Sequence, residues 1–313
     1  MNENRLAVII PAYKCEFLGE TLTSLSEQTD KRFNVYIGDD ASPFNLYPII
    51  KEFETRLSIK YNFFSENLGG KNLVAQWNRC FELINDEEYF IMFSDDDVMS
   101  SNCIENFYKT IELNDNYDVY HFNINIIDKD SKIINKCPDF PDVLSSLGFL
   151  RKLYCNEIDA RMPEFVFRTE HFKQVGGFID FDLAYRTDNA TVIACAKKNG
   201  IYTIPNSKIL WRESGINASS SKNLNPIVLY KKCKSTIEFL NWIDTSLKND
   251  NIKWPLSLSK RRKIIMNELL PVYKAMGMKV SINLLRKLNE VNSSYFIFLY
   301  YYYKLCKKAI KLE

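Results

Sequence analysis

The sequence predicts an α/β fold of the doubly wound type, with a mostly parallel sheet flanked by helices and a helical C-terminal extension. Short apolar runs alternate with helix-like stretches through the first hundred residues, which is the pattern of successive βαβ units. Two of these runs are followed by acidic residues, Asp39-Asp40 and Asp95-Asp96-Asp97. Because open α/β sheets bind their ligands at the carboxyl ends of strands, both clusters are candidate site residues.

The elements follow a regular order in the first half and a looser one afterwards. Strands are predicted at residues 6–10, 33–37, 58–63 and 89–93, and helices at about 18–28, 46–55 and 71–84. Further strand-like runs cover residues 117–127, 133–134, 165–167 and 201–211, with helices starting near residue 101 and spanning about 189–198. Beyond about residue 222 only helical spacing remains, and we expect a domain boundary there.

Composition excludes several classes of protein. The eight cysteines form no CxxC pair, which predicts reduced thiols and a cytoplasmic protein rather than a disulfide framework or a zinc site. Only two histidines are present, so a histidine-centred triad or a multi-histidine metal site fits poorly. The N-terminus lacks the basic and long apolar regions of a signal peptide.

Charge is distributed unevenly, although the net charge is only +2. From residue 251 to the end there are 13 Lys or Arg against 3 Asp or Glu, so this segment carries +10 and the remainder −8. The segment also holds the aromatic run 295–303, and together these features predict peripheral contact with the inner face of a membrane. The alternative is a helix packed on the catalytic domain or on a second subunit of a homo-oligomer. No motif of a nucleic-acid-binding module is present, so no nucleic acid partner is expected.

The cluster Asp95-Asp96-Asp97 follows a short apolar run and is the strongest single signal. Adjacent carboxylates repel one another unless a cation or hydrogen bonds compensate them, and oxygen ligands favour Mg²⁺ or Mn²⁺. A divalent metal that handles a phosphorylated substrate is therefore the first hypothesis. The alternative is an acidic turn in which one Asp caps the following helix.

Three motifs in one order give the chain a family resemblance. The segments Val8-Ile9-Ile10-Pro11-Ala12-Tyr13 and Ile37-Gly38-Asp39-Asp40-Ala41-Ser42, followed by the Asp95 to Asp97 cluster, resemble the family-2 glycosyltransferases with the GT-A fold over about residues 5–220. The resemblance implies an inverting hexosyltransferase that uses a sugar nucleotide, commonly a UDP-sugar, and Mn²⁺ or Mg²⁺. It also implies a catalytic domain over 1–222, with a nucleotide-binding half at 1–100 and an acceptor-binding half at 101–222, and a helical region at 223–313.

The resemblance implies roles for individual residues of this chain, according to their positions in the sequence. The resemblance implies that Asp40 accepts a hydrogen bond from the donor base, an interaction that a carboxylate offers to the imide N–H of uracil. Ser94 replaces the first Asp of the usual D-x-D-D motif, so Asp96 aligns with the metal-binding Asp and Asp97 supports it. The remaining donor-side candidates implied by the resemblance are Pro11, Tyr13, Asn67, Gly69, Lys71, Asp95 and Arg212.

The catalytic base implied by the resemblance is Asp188. It follows the segment Gly176-Gly177-Phe178 at the start of a predicted helix, where Thr187 replaces the Glu of the family's usual Glu-Asp. A carboxylate there would take the proton from an acceptor hydroxyl. A carboxylate that only stabilises the helix N-terminus is the alternative, and Asp182 is the reserve candidate for the base.

These features predict a metal-dependent glycosyltransferase that moves a sugar from a UDP-sugar to a hydroxyl of a glycan or lipid-linked acceptor in polysaccharide biosynthesis. Two alternatives stay open. A sugar nucleotidyltransferase would have a similar fold and need Mg²⁺, but the segment Pro11-Ala12-Tyr13-Lys14-Cys15 lacks the glycines of its phosphate loop. A non-catalytic carbohydrate-binding relative would not need Asp40, Asp96 and Asp188, so the presence of all three argues against this alternative.

Overall fold

The computed structural model describes residues 4–214, 225–292 and 294–310. Within these residues ten strands form one sheet. The strands are β1 (Leu6–Ala12), β2 (Phe33–Asp39), β3 (Ile59–Phe63), β4 (Tyr89–Met92), β5 (Val98–Met99), β6 (Val119–Ile127), β7 (Ile133–Lys136), β8 (Val143–Leu144), β9 (Phe165–Arg168) and β10 (Ile201–Arg212).

The sheet runs in the order β3-β2-β1-β4-β9-β6-β10-β5, with β7 beside β6 and β8 beside β10. The first four strands are mutually parallel, as are β6 and β10. Strand β9 lies antiparallel between β4 and β6 and joins the two parallel groups. The predicted α/β class and mostly parallel sheet are confirmed.

The first of two compact units contains the sheet and comprises the described residues of Met1–Ile179 and Asp188–Asn217. Its helices are α1 (Leu18–Ser26), α2 (Tyr47–Lys51), α3 (Leu73–Phe81), α4 (Cys103–Leu113), α5 (Ser146–Tyr154), α6 (Thr169–Gln174) and most of α7 (Thr187–Cys195). They cover both faces of the sheet. Neighbouring side chains of a strand point to opposite faces, so apolar side chains are available for packing against helices on each face. Tyr89 packs against Phe107 of α4, whereas Phe90 packs against Phe81 of α3 and Phe172 of α6.

The second unit comprises Asp180–Thr187 and the described residues of Ala218–Glu313. Its helices are α8 (Pro226–Asn249), α9 (Leu258–Leu285), α10 (Asn289–Asn292) and α11 (Tyr295–Ile310). Helix α9 is interrupted at Gly277, whose φ of 81° is the left-handed conformation that glycine adopts without steric cost. The boundary expected near residue 222 falls outside the described residues, and the grouping of 180–187 with the C-terminal helices was not expected.

All eight cysteines are free thiols, as predicted. Among the described residues, no helix combines the length and the apolar character that crossing a membrane requires.

Candidate functional site

Three strand ends bring the predicted donor-side residues to one edge of the sheet. Ala12 at the end of β1 lies beside Asp39 at the end of β2, and the N–H of Asp40 donates to the Ala12 carbonyl at 2.9 Å. The chain leaving β4 is tied to the same strand, since the Phe93 N–H donates to the Ile9 carbonyl at 2.7 Å. The two acidic clusters therefore follow β2 and β4, the two strands that lie on either side of β1.

Asp95 holds the loop after β1. Its Oδ2 accepts hydrogen bonds from the N–H groups of Tyr13 and Lys14 at 2.9 and 2.8 Å. The Lys14 ammonium lies 3.4 Å from Oδ1 of Asp95 and also forms an ion pair with Oδ2 of Asp96. Burial raises the pKa of Asp95, and Lys14 acts in the opposite direction. Lys14 was not among the predicted site residues, because only the fold brings it to a cluster eighty residues away.

The same contacts act on Lys14. Burial alone would lower the pKa of its ammonium, but Asp95 and Asp96 outweigh burial and raise it. Lys14 is therefore a cation at this cluster, and it compensates part of the repulsion among the three carboxylates.

Asp97 is the most deeply buried member of the cluster. Its Oδ1 accepts a hydrogen bond from the Arg212 N–H at 2.8 Å, while its Oδ2 is buried and has no hydrogen-bond partner among the residues that the structure describes. Burial and the neighbouring Asp96 raise the pKa of Asp97 to about 8. A buried carboxylate oxygen without a partner is costly and favours the approach of a cation or a proton.

Arg212 supports the backbone of this cluster from inside the protein. Its Nε donates to the Asp96 carbonyl at 2.8 Å, its Nη1 to the Asp128 carbonyl at 3.0 Å, and its Nη2 to Glu20 at 2.7 Å. The side chain is fully buried. This geometry differs from the diphosphate contact expected from the sequence, because the guanidinium is directed to protein oxygens and has no exposed surface.

Asp40 holds the turn that precedes α3. Its carboxylate accepts hydrogen bonds from the N–H groups of Leu68 and Gly69 at 2.7 and 2.8 Å and pairs with Arg79 of α3. Gly69 is required by this close approach, since a Cβ there would lie 2.6 Å from Oδ2 of Asp40. Arg79 is a further site residue that the sequence did not indicate.

Asp39 and Ser42 build the turn after β2. The Ser42 N–H donates to Oδ1 of Asp39 at 2.8 Å, and the Tyr61 hydroxyl donates to Oδ2 at 2.8 Å. The Ser42 hydroxyl donates to the Tyr13 carbonyl at 2.7 Å, which links the loops after β1 and β2. Asp39 and Ser42 therefore stabilise this turn through hydrogen bonds.

The other donor-side candidates lie at the edges of the same region. Pro11 is within β1 opposite Gly38, and the Tyr13 side chain is 41% exposed. Oδ1 of Asn67 accepts a hydrogen bond from the Gly70 N–H at 2.7 Å and so closes the turn. Lys71 forms an exposed ion pair with Glu66 at 2.5 Å.

Asp188 lies in the first turn of α7, as the sequence predicts. Its Oδ1 accepts a hydrogen bond from the Asn189 N–H at 2.8 Å, and its side chain is partly exposed. Helix N-termini favour the ionised form of a carboxylate, which is the form that accepts a proton. Asp182, the reserve candidate, forms ion pairs with Lys231 and Lys234 in the second unit at 3.1 and 3.6 Å.

The cluster fits a divalent cation that is shared with a phosphorylated ligand. Within the described parts of the chain, no group of three or more His, Cys, Asp or Glu side chains is arranged to hold a metal ion. Mg²⁺ is commonly bound by one or two carboxylates and completed by substrate phosphates and water. Asp96 and Asp97 are two carboxylates of this kind, and Oδ2 of Asp97 has no hydrogen-bond partner in the described parts of the chain.

Comparison with known proteins agrees with this architecture. The sequence profile described as Glycosyl transferase family 2 matches residues 7–176, which is more than half of the chain. A search among curated proteins finds no match. The fold class and the acidic strand ends are those of a glycosyltransferase, and the chain belongs to glycosyl transferase family 2.

Solved structures with a similar fold include TarS of S. aureus. Residues 1–349 of TarS in complex with UDP-GlcNAc superpose with a TM-score of 0.60 at 18% identity, covering 90% of this chain and 79% of that one. The complex of the same fragment with UDP gives a TM-score of 0.54 at 18% identity and covers 86% and 72%. The GT-A type of fold with C-terminal helices is thereby confirmed, and the family assignment makes this chain a glycosyltransferase rather than a sugar nucleotidyltransferase or a binding protein.

Proposed function

We propose that the protein is a metal-dependent, inverting glycosyltransferase that uses a UDP-sugar and acts on a hydroxyl of a glycan or lipid-linked acceptor in polysaccharide biosynthesis. The observation that carries the proposal is the meeting of Asp40 and the Asp95–Asp97 cluster on the loops after β1, β2 and β4. The complexes of TarS with UDP-GlcNAc and UDP support a uridine donor.

Asp40 is proposed to recognise the base of the donor. A carboxylate has about four lone-pair sites, and within the described residues the groups that donate to Asp40 are two backbone N–H groups and Arg79. One site therefore remains for the imide N–H of uracil. The donors already present fix the carboxylate in place, which reduces the loss of side-chain freedom on binding.

The diphosphate is proposed to lie beside Asp96, Asp97 and Lys14. A divalent cation held by Asp96 and Asp97 would supply positive charge to the leaving diphosphate. Arg212 holds the Asp96 backbone through its guanidinium, which donates to the Asp96 carbonyl, and it holds the Asp97 carboxylate through its backbone N–H. Lys14 adds a second positive charge at the same position.

Asp188 is proposed to act as the general base. Its carboxylate takes the proton of the acceptor hydroxyl while that oxygen forms a bond to the anomeric carbon. The bond from the anomeric carbon to the diphosphate breaks at the same time, and UDP leaves with the electron pair. One displacement from the opposite side inverts the anomeric configuration without a covalent enzyme intermediate.

Helix α11 is proposed to bring the second unit to an anionic membrane surface, where lipid-linked acceptors are presented. Tyr301 and Leu305 are buried and fix the helix, whereas Tyr295, Phe296 and Tyr303 are 71%, 82% and 57% exposed. Aromatic rings favour the membrane interface, and the basic charge of residues 251–313 favours anionic lipids.

Calorimetric titration tests the donor assignment. We expect UDP to bind the wild-type protein more tightly with Mn²⁺ than without it, and Asp96→Ala to lose the effect of Mn²⁺. Asp188→Asn is the matched control, since it should bind UDP normally while transfer falls by roughly 10²-fold or more. Equal UDP affinity of the wild type and Asp96→Ala with Mn²⁺ would contradict the metal assignment.

A further inference from the structure

The eight residues that lead into Asp188 belong to the second unit and not to the sheet-containing one. Asp180–Thr187 groups with the C-terminal helices, whereas Asp188 and the rest of α7 group with the sheet. The position of the proposed base therefore depends on a segment whose contacts are made by helices of the C-terminal region.

This segment has an unusual backbone. Leu183, Ala184 and Arg186 have φ angles of 62°, 52° and 82°, in the left-handed region that residues with a Cβ seldom adopt. Such conformations persist only where surrounding contacts enforce them, and they concentrate at functional sites. The contacts of the segment thus decide whether this backbone is maintained.

Helix α9 supplies the central contact through Glu268. Its Oε1 accepts hydrogen bonds from the Tyr185 hydroxyl and from Nη2 of Arg186, each at 2.9 Å. Nε of Arg186 donates to the Thr236 hydroxyl of α8 at 3.2 Å. The Arg186–Glu268 pair is only 19% exposed on each side, so it is partly shielded from solvent.

Helix α8 holds the beginning of the segment. Lys231 and Lys234 pair with the Asp182 carboxylate, and the Ser235 hydroxyl donates to the Asp182 carbonyl at 2.9 Å. The segment is also closed on itself, because the Phe181 N–H donates to the Thr187 hydroxyl at 3.2 Å. Helices α8 and α9 thus hold the strained turn at Asp182, Tyr185 and Arg186.

We propose that α8 and α9 form a clamp that positions Asp188, with Glu268 and Arg186 as the positioning residues. The inference rests on the proposed role of Asp188 as the general base. The clamp gives the C-terminal helices a part in the reaction besides contact with a membrane. When Glu268 cannot hold Arg186, the turn relaxes toward ordinary backbone angles. The first turn of α7, which contains Asp188, is then no longer held in one position.

Hydrogen exchange and donor hydrolysis in Glu268→Gln test the clamp. The matched control is Glu290→Gln in α10, because Glu290 forms an ion pair with Arg262 of α9 in the same unit at 3.2 Å and is similarly buried. We expect amide exchange over residues 183–190 to accelerate at least tenfold in Glu268→Gln and not in Glu290→Gln. The kcat for UDP release should fall about tenfold in Glu268→Gln alone, with UDP affinity unchanged.

Each outcome decides the proposal. Exchange over 183–190 that is the same in Glu268→Gln and in the wild type, or accelerated equally in both variants, would overturn the clamp. Asp188→Asn is included in the same assay. If it hydrolyses donor at the wild-type rate, the base assignment fails, and the exchange data still show whether Glu268 fixes the turn.

Discussion

The buried carboxylate of Asp97 should make the stability of the protein fall as pH rises. Its pKa is raised to about 8, so between about pH 4 and pH 8 the folded protein keeps a proton that the unfolded chain releases. The stabilisation is present in full below about pH 4 and is lost as pH rises through about 8. The slope is at most about 1.4 kcal/mol per pH unit, and the total is on the order of 5 kcal/mol as an upper bound.

Asp97→Asn should remove this contribution, because an amide does not titrate. Urea unfolding at pH 5 and at pH 8 measures the difference in free energy of unfolding for each protein. Asp128→Asn is the control, since the hydrogen bond from the Lys132 N–H lowers the pKa of Asp128, so the contribution of Asp128 to stability changes only below about pH 4. Parallel pH dependence of the wild type and Asp97→Asn between pH 5 and pH 8 would refute the reasoning.

Two further predictions concern the donor turn and the C-terminal helix. Gly69→Ala should weaken UDP binding about tenfold, because a Cβ would displace the turn from the Asp40 carboxylate that holds it, at a cost of about 1.5 kcal/mol. Gly19→Ala is the control and should bind UDP normally, since a Cβ there would lie 3.9 Å from its neighbour. Equal UDP affinities of the two variants in calorimetry would exclude the role of the turn. Replacing both Phe296 and Tyr303 by Ser should reduce cosedimentation with anionic liposomes at least tenfold, because two partly inserted rings contribute about 2 kcal/mol. Leu113→Ser, at an 84% exposed position of the first unit, is the control for general surface apolarity, and equal sedimentation of all three proteins would remove the membrane proposal.

The sequence predicts the nucleotide-binding half well because its signals are local. Strands β1, β2 and β4 are short, mostly apolar runs, and each appears in the structure within two residues of the predicted start and end. Asp188 is at the start of a helix as expected, because a short motif and a helical pattern together define its position. Local pattern is sufficient wherever one element determines where a side chain lies.

The remaining features depend on distant parts of the chain. Lys14 reaches Asp95 and Asp96 only because β1 and β4 are neighbours, and Arg212 reaches Asp97 only because the end of β10 lies near the acidic loop. Helix α5 lies in a stretch where short strands and turns interrupt any helical spacing of apolar residues. The sequence also does not predict that β9 lies antiparallel between β4 and β6, because an apolar run does not indicate the direction of a strand.

The most direct test of the central claim is the anomeric configuration of the sugar released from its donor. Proton NMR can follow hydrolysis of the UDP-sugar that stabilises the protein most in a thermal-shift panel with Mn²⁺, before mutarotation mixes the anomers. An α-linked donor should give the β-anomer first, and Asp188→Asn should slow its formation by roughly 10²-fold or more. Initial appearance of the α-anomer, or an undiminished rate in Asp188→Asn, would contradict a single displacement assisted by this carboxylate.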